Sequence, residues 1–247
     1  MSSSVNAFTD KATLYSKYRP GYAIEFIRYL YAKAGFNAES CIADIGSGTG
    51  IFSKLLLEQN STVYAVEPNC SMRIIAEQAL FVFNKFHSVI ATGEMTSLPD
   101  KSIDHITVVQ AFHWLDADLF KAECKRILKP EGKIAVVYNR KKKDSLINRQ
   151  QADLVKVYYP SHYDIINHWN LREDPVKNFF DNGFEFVAFE NDIINNIEEF
   201  VGRILSASFS KEDERFISRV KDIFNEHERE GIVRIPNDTI AYIGSIH

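Results

Sequence analysis

The chain reads Asp44-Ile45-Gly46-Ser47-Gly48-Thr49-Gly50 between a short apolar run, Cys41 to Ile45, and an amphipathic run, Ile51 to Gln59. These flanks predict a buried strand followed by a helix. Glycines at three alternate positions let the chain turn sharply and bring bare backbone against a ligand. Because a tight turn alone does not require three glycines, the stretch indicates a ligand-binding loop. The alternative is a strand-to-helix turn without a ligand.

The alternation of strand and helix continues outward from this loop. Strands are predicted at Cys41–Ile45, Thr62–Val66, His87–Thr92, Ile103–Val109, Ile134–Tyr138, Phe184–Phe189 and Thr239–Gly244. Helical patterns of about ten residues between the first five strands indicate βαβ units with right-handed crossovers. We therefore predict an α/β fold: a doubly wound, Rossmann-like, seven-stranded and mostly parallel sheet, with helical insertions that form a lid.

The chain is predicted to have three parts. Residues 1–35 form an N-terminal segment with the first helix. Residues 36–140 form the binding core. Residues 141–247 complete the sheet and carry the lid insertions, at 145–180 and 196–230.

Composition excludes several classes of protein. The 247 residues include 29 Lys and Arg against 33 Asp and Glu, a formal charge of −4, so the basic excess of a non-specific nucleic-acid binder is missing. The three cysteines have spacings that fit no zinc motif or disulfide framework, and no metal is predicted. No apolar run approaches the ~20 residues of a membrane span, and no secretory signal is recognised. We expect a cytoplasmic protein without a membrane partner, and its oligomeric state does not follow from the sequence.

The glycine spacing and one acid narrow the choice of ligand. A dinucleotide fingerprint is G-x-G-x-x-G and a phosphate-binding P-loop ends in Gly-Lys-Ser/Thr, whereas this loop is G-x-G-x-G followed by Ile51 and Phe52. A carboxylate at the mouth of the loop, Asp44, repels a pyrophosphate and suits a positively charged ligand. The loop therefore points to S-adenosylmethionine, which is a sulfonium without phosphate.

Two further acids follow later strands. Glu67 ends the second strand and can accept hydrogen bonds from both ribose hydroxyls, as the acid does in NAD sites. Glu94 follows the third strand and can accept from the adenine amino group, while Met95 can pack on the ring. The alternatives are a solvated acid before a turn and an exposed loop acid.

Taken together, four motifs resemble those of class I S-adenosylmethionine-dependent methyltransferases over residues 36–140. The motifs are Asp44–Gly50, Val66–Asn69, Gly93-Glu94 with Leu98-Pro99, and Ile127–Gly132. The chain is similar to the small-molecule branch that includes trans-aconitate and ubiquinone/menaquinone-biosynthesis methyltransferases, which implies methyl transfer (EC 2.1.1.-) with S-adenosylmethionine as cofactor. The cofactor-binding positions implied are Tyr18, Arg19, Asp44, Gly46, Ser47, Gly48, Gly50, Glu67, Pro68, Glu94, Met95 and Gln110.

Two flanking stretches extend the resemblance. Tyr15–Pro20 and Ala111–Asp116 look like the Tyr-x-x-Arg-Pro and Phe-His-Trp patterns of trans-aconitate and fungal cantharidin-resistance methyltransferases. The resemblance implies that the N-terminal segment folds over the cofactor, with the Arg19 fork on the methionine carboxylate. Alternatively, Tyr18 and Arg19 only pack the first helix onto the sheet.

Candidate residues for the acceptor side are less specific. His113 is the candidate general base, and a structural histidine is the alternative. Tyr15, Trp114 and Arg140 are candidates for the substrate pocket. The run Arg140–Lys143 is either a solvated loop or a site for an anionic substrate, which would need no base.

Three other functions stay open. An NAD-dependent oxidoreductase is disfavoured by the glycine spacing, and a cofactor-binding protein without catalysis has the same sequence signals. A macromolecular methyltransferase is disfavoured because the Asn-Pro-Pro-Tyr type of motif is missing after the fourth strand. We predict methyl transfer to a small molecule by in-line attack on the sulfonium methyl, because the lid-sized insertions favour an enclosed substrate.

Overall fold

The computed structural model describes residues 11–161, 163, 174–207 and 213–246. Its strands are β1 Cys41–Ile45, β2 Thr62–Val66, β3 Phe86–Val89, β4 Ile103–Val109, β5 Leu128–Lys141, β6 Phe184–Glu190, β7 Ile193–Asn195, β8 Val233–Ile235 and β9 Asn237–Gly244. Its helices are α1 Ala12–Tyr18, α2 Ile24–Ala32, α3 Ile51–Leu57, α4 Cys70–Leu80, α5 Ala117–Ile127, α6 Leu146–Tyr158, α7 Asp174–Phe179, α8 Ile197–Leu205 and α9 Glu214–His227. A 3-10 turn covers Phe112–Trp114.

The main sheet has seven strands in the order β3-β2-β1-β4-β5-β9-β6. The first five strands pair in parallel, and β1 has β2 on one side and β4 on the other. The strand order therefore reverses between β1 and β4. In open α/β sheets the ligand crevice lies outside the carboxyl ends of the strands at such a point.

The last strand, β9, lies inside the sheet and not at its edge. It pairs antiparallel with both β5 and β6, over residues 237–244. The predicted seven-stranded, mostly parallel, doubly wound sheet is confirmed. The position of β9 was not predicted, because alternating or apolar patterns do not reveal which strand is the neighbour.

Both faces of the sheet are covered, which explains why apolar residues predominate in β1 and β4. Ile45 and Ile106 belong to a cluster on one face, and Ile42 and Val137 belong to a cluster on the other. All four side chains are fully buried. Parallel strands that are buried on both faces have this composition.

A third apolar cluster stands apart from the two sheet faces. It joins α6, α8 and α9 with the antiparallel hairpin β7–β8, and we call these four elements the helical cap. Phe200, Phe216 and Val233 are fully buried inside the cap. The helices lie within the predicted insertions, whereas the hairpin was not predicted. The predicted division into three parts stays a prediction.

Two of the motifs have a local structure that their residues alone do not reveal. Most of Tyr15–Pro20 is helical, because α1 covers Ala12–Tyr18. Residues 129–132 form a bulge within β5, because Ile103 pairs with Leu128 and His105 already pairs with Lys133. Pro130 lies in this bulge, where no N–H is needed for a hydrogen bond to the neighbouring strand.

Part of the predicted lid lies outside the described residues. This applies to residues 162, 164–173 and 208–212. Beyond the second gap, Asp213 caps α9 by accepting from the backbone N–H of Phe216 at 2.9 Å. Within the described ranges, none of the helices has the length and apolarity to cross a bilayer, and no group of His, Cys, Asp or Glu could hold a metal ion.

Candidate functional site

The glycine loop runs from the end of β1 to the start of α3. The backbone N–H groups of Gly46 and Ser47 donate to the carbonyl of Val66, 2.9 and 3.2 Å away, which ties the loop to the end of β2. Gly46 and Gly50 are closely packed, because an added Cβ would lie 2.6 Å from Cβ of Ala111 and 2.7 Å from Leu80, respectively. Both also have positive φ, so only glycine fits at low cost.

Gly48 differs from its two neighbours. Its φ is +58°, and an added Cβ would meet no atom within 4 Å. The backbone at this position is therefore left-handed without being crowded by the protein. It faces open space at the switch point, where a ligand can approach the bare backbone.

Asp44 lies beneath the loop and not at its mouth. It is 1% exposed, and its two carboxylate oxygens accept from the hydroxyls of Ser53 at 2.6 Å and Thr107 at 2.8 Å. Burial raises the pKa of Asp44 to about 6, although both hydroxyls oppose that rise. The sequence predicted that the Asp44 carboxylate faces the ligand, and this is corrected. Both of its oxygens accept hydrogen bonds from α3 and β4 beneath the loop.

Glu67 closes the other side of the loop. Its Oε2 accepts from the N–H of Gly48 and its Oε1 from the N–H of Asn69, both at 2.8 Å. Burial raises the pKa of Glu67 above its usual value. The side chain that was predicted to hold the ribose thus lies directly beside Gly48, at the end of β2.

The loop also contains polar atoms that are not satisfied within the described protein. Ser47 Oγ and Thr49 Oγ1 are buried and have no hydrogen-bond partner there. Buried hydroxyls are normally hydrogen-bonded, so these two atoms suit a polar ligand. Together with the open space at Gly48, they fit a cofactor with amino-acid and ribose groups.

The loop after β3 carries the candidates for the adenine. Glu94 is partly exposed, and its Oε1 accepts from the N–H of Asp116 at 3.0 Å. Asp116 in turn caps the first turn of α5. Met95 is 72% exposed and is free to pack on a planar ring.

A cleft opens next to the start of α3 and encloses about 510 Å³, part of which is open solvent. It lies between the N-terminal segment, the carboxyl ends of β4 and β5, and the helical cap. Its lining residues are Tyr15, Arg19, Pro20, Tyr22, Ile51, Gln110, Asn139, Lys141, Ile193, Arg203 and Asn237.

The N-terminal segment reaches the cleft through two of its predicted residues. The Arg19 guanidinium lies over the Tyr15 ring, 4.7 Å from its centroid, and both residues line the cleft. Arg19 Nε is buried and has no hydrogen-bond partner in the described structure. Tyr18 is placed differently, since its hydroxyl donates to Glu198 at 2.7 Å. Tyr18 therefore fastens α1 to α8 and does not line the cleft.

Gln110 follows β4 and also faces the cleft. Its φ is +56°, which is uncommon for a residue with a side chain, and its N–H donates to Val137 at 2.9 Å. Strained backbone of this kind costs of the order of 1–3 kcal/mol and is concentrated at functional sites. The side chain is held by donation to the carbonyl of Asn139 at 3.3 Å.

The predicted residues His113 and Trp114 lie in the 3-10 turn after β4. Neither is among the described residues that line the cleft. Burial lowers the pKa of His113 to about 4. Trp114 is 45% exposed, and its ring centroid lies 4.8 Å from that of His113.

Two residues that line the cleft, Lys141 and Arg203, are not singled out by the sequence patterns. Arg140 was predicted for the pocket, but its guanidinium lies over Phe186 of β6. Its neighbour Lys141 lines the cleft instead, because successive residues of a strand point to opposite faces. Arg203 of α8 also lines the cleft, and no sequence motif marks it.

The comparisons with known proteins agree with this geometry. Residues 43–136 match the methyltransferase domain family. An uncharacterized methyltransferase of Mycobacterium tuberculosis is 32% identical over 133 residues, 54% of this chain and 52% of the relative. One from Schizosaccharomyces pombe is 27% identical over 129 residues, 51% of this chain and 49% of the relative. The chain thus spans about half the length of the curated relatives it matches.

Solved structures resemble the fold over a longer span. An Anaeromyxobacter dehalogenans structure assigned as a type II methyltransferase has a TM-score of 0.64 at 21% identity, covering 93% of this chain and 99% of that chain. The YcgJ protein of Bacillus subtilis has a TM-score of 0.58 at 16% identity, covering 91% and 100%.

The matched segment begins one residue before Asp44 and ends within β5, so it contains the glycine loop, Glu67, Glu94 and Gln110. Residues 43–136 therefore match a methyltransferase domain, a family that implies S-adenosylmethionine as the cofactor.

Proposed function

We propose that this chain transfers the methyl group of S-adenosylmethionine to a small-molecule acceptor bound in the cleft. The observation that carries the proposal is the uncrowded, left-handed Gly48 backbone, held by Glu67 at the switch point of the sheet. The family match supplies the cofactor, and the cleft beside Ile51 supplies space for an acceptor.

The chemistry divides between the cofactor and the protein. A bound S-adenosylmethionine supplies a methyl group that is already activated by its sulfonium. The protein must orient the acceptor in line with the S–CH₃ bond and exclude water, and orientation alone can supply roughly 7–11 kcal/mol. We assign the ribose to Glu67, the adenine to Glu94 and Met95, and the methionine carboxylate to Arg19.

General base catalysis by His113 is not favoured by its surroundings. A histidine whose pKa is lowered to about 4 is neutral at pH 7 but is a weak base. The residue also lies outside the described lining of the cleft. An acceptor that attacks without losing a proton fits this site better than one that needs deprotonation.

The cover of the cleft supports a small acceptor. Its walls include Tyr15 of α1, Ile193 of the hairpin and Arg203 of α8, so elements outside the core sheet border it. Small-molecule sites occur preferentially where separate structural units meet and at the switch points of α/β sheets.

The first experiment is calorimetric titration of the full chain with S-adenosylhomocysteine, comparing the parent with Gly48→Val. We expect the parent to bind and the variant to lose binding, because the new side chain fills the space in front of the loop. Gly231→Val is the matched control, since Gly231 also has positive φ (+80°) and open space but lies in the turn before β8.

Equal affinity of the parent and Gly48→Val would contradict the assignment of the loop. Methyl transfer is then measured with radiolabelled S-adenosylmethionine and a panel of small acids, alcohols and amines. A parent that binds S-adenosylhomocysteine but labels none of these would be a binding protein without catalysis.

A further inference from the structure

We propose that Lys141 and Arg203 form a subsite for a carboxylate of the acceptor and that this enzyme methylates a small carboxylic acid. A carboxylate oxygen would form a bond to the methyl carbon as the S–CH₃ bond breaks, which gives a methyl ester and uncharged S-adenosylhomocysteine. The inference rests on the proposed function and names its substrate class. It is carried by the arrangement of cations in the cleft.

Lys141 and Arg203 are brought together by one neutral side chain. Lys141 Nζ and Arg203 Nη2 both donate to Oε1 of Gln151, each at 2.9 Å. Arg203 Nε also donates to Oδ1 of Asn195 at 3.1 Å. The two cationic groups thus lie on the same side of the cleft, within reach of one small anion.

The charge of these groups is not balanced within the cleft. Its described lining contains three cations, Arg19, Lys141 and Arg203, and no carboxylate. Arg203 is only 6% exposed, and the partners given above are neutral amides. A buried cation is normally paired with an acid, so this arrangement suits an anion that arrives with the ligand.

The electrostatics support this geometry. Lys141 is exposed to solvent, and desolvation by the protein beside it together with the Arg203 and Arg19 charges lowers its pKa below the usual value. Burial and Arg19 lower the pKa of Arg203 to about 10. An anion bound here relieves the repulsion among all three groups.

The rest of the lining suits an organic acid. Ile51, Ile193 and Tyr22 give the cleft apolar walls that suit a hydrocarbon body. Because Arg203 Nε and Nη2 already donate to Asn195 and Gln151, an anion would be bound by the remaining guanidinium N–H groups and by Lys141 Nζ. A carboxylic acid is already ionised at neutral pH, so no general base has to remove a proton from it. This is consistent with the weak basicity of His113.

A carboxylate could belong to either of two molecules, because S-adenosylmethionine has one of its own. Arg19 is the candidate for that group, since it is on the N-terminal segment and its Nε is buried without a partner in the described structure. Lys141 and Arg203 then remain for the acceptor. The experiment below separates these two sources.

The test titrates the full chain, saturated with S-adenosylhomocysteine, with hexanoate, adipate, hexanamide and hexyl phosphate. We expect at least one carboxylate to bind about tenfold or more tightly than hexanamide, because charge-assisted hydrogen bonds are lost with the neutral amide. Lys141→Met should weaken that binding by about tenfold or more. Arg203→Lys, which keeps the charge, should weaken it less.

Lys143→Met is the matched control, because Lys143 is exposed and is not among the residues that line the cleft. It should bind the carboxylate as the parent does. S-adenosylhomocysteine should bind Lys141→Met as it binds the parent, which distinguishes a failure here from a failure of the cofactor site.

Four results would overturn the proposal while leaving the cofactor site intact. They are no binding of either carboxylate up to about 10 mM, equal binding of hexanamide, preference for hexyl phosphate, and unchanged carboxylate binding in Lys141→Met. A fifth result assigns the cations to the cofactor: Lys141→Met loses affinity for S-adenosylhomocysteine but keeps it for methylthioadenosine, which lacks the carboxylate.

Discussion

Asp44 and Glu67 shape the glycine loop from two sides through different contacts. Asp44 accepts only from side-chain hydroxyls below the loop, whereas Glu67 accepts from backbone N–H groups that belong to it. The proximity of the two acids is unfavourable, and the charge of Glu67 contributes to the raised pKa of Asp44. We infer that Asp44 acts through loop geometry and that Glu67 is the acid available to a ligand.

The raised pKa of Asp44 predicts a dependence of stability on pH. An unfolded Asp44 releases its proton near pH 4, whereas the folded one holds it to about pH 6. The folded state binds more protons between these values, so this residue makes the free energy of unfolding fall as pH rises from about 4 to 6. At 1.36 kcal/mol per pKa unit the loss is about 3 kcal/mol.

Asp44→Asn removes this ionisation. The parent should lose about 3 kcal/mol of unfolding free energy between pH 4 and pH 7.5 through this residue, and the variant should not. The difference between variant and parent should therefore grow by that amount in favour of the variant. Urea denaturation at several pH values measures the difference, with the exposed Asp118→Asn as control. If the free energies of unfolding of the parent and Asp44→Asn change in parallel with pH, the Asp44 carboxyl has the same pKa in the folded and unfolded states, which would contradict the prediction.

The residues of the loop could be predicted from sequence, but the orientation of Asp44 could not. Three alternate glycines after an apolar run have few structural solutions, so Gly46, Gly48 and Gly50 were placed correctly at the switch point. The side chain of Asp44 points down because Ser53 and Thr107 lie beneath it. Those hydroxyls come from α3 and β4, and their convergence depends on the sheet order.

At the level of elements, α1 and α8 form the wall that encloses the cleft. Lys17 and Tyr18 both bond to Glu198, and Lys11 Nζ donates to the carbonyls of Leu205 and Ala207 at the end of α8. A cation at a helix C-terminus is favoured by the helix dipole. The position of α1, and with it Arg19, therefore depends on α8.

The contact between these helices requires a small residue at one position. A Cβ added to Gly202 would lie 2.5 Å from the Tyr18 ring. Gly202→Val should displace α1 from α8, speed hydrogen exchange of the α1 amides and weaken S-adenosylhomocysteine binding by about tenfold, because Arg19 moves with α1. Exchange mass spectrometry and calorimetry measure both effects.

A suppressor distinguishes this local effect from general unfolding. Tyr18→Ala in the same chain removes the ring that the valine meets, so the double variant should recover part of the cofactor affinity. Glu198→Gln should leave α1 in place, because Gln keeps an acceptor oxygen for Lys17 and Tyr18 and the lost charge of an exposed ion pair contributes little. Weaker binding in the double variant than in Gly202→Val would contradict the proposed packing.

The helices of the cap could be predicted from the sequence, but their position beside the cleft could not. The sequence places Phe200 and Phe216 on apolar stripes, and both are fully buried. Arg203 lies on the same helix as Phe200, and its role depends on Gln151 of α6, 52 positions away. Helical periodicity indicates which residues are buried, but not which distant helix supplies the partner.

The whole molecule contains sheet cores and a separate cap core that meet at the cleft. The sheet clusters contain Ile42 and Ile106, whereas the cap cluster contains Phe200, Phe216 and Phe224. The cleft residues come from both parts, since Gln110 and Lys141 end strands of the sheet while Arg203 belongs to the cap. Movement of the cap relative to the sheet would open or close the acceptor side.

This division predicts two levels of stability in native-state hydrogen exchange. Amides of α6 and α9 should exchange through a partial opening with a lower free energy than amides of β1 and β4, because the cap has its own small core. Binding of S-adenosylhomocysteine at about 100 times its Kd should add about 2.7 kcal/mol to the opening of β1 and β4. A carboxylate bound between Lys141 and Arg203 should then also protect the cap, because its contacts span both parts. One common opening free energy for cap and sheet amides would instead show a single cooperative unit, and the acceptor would enter through side-chain motion alone.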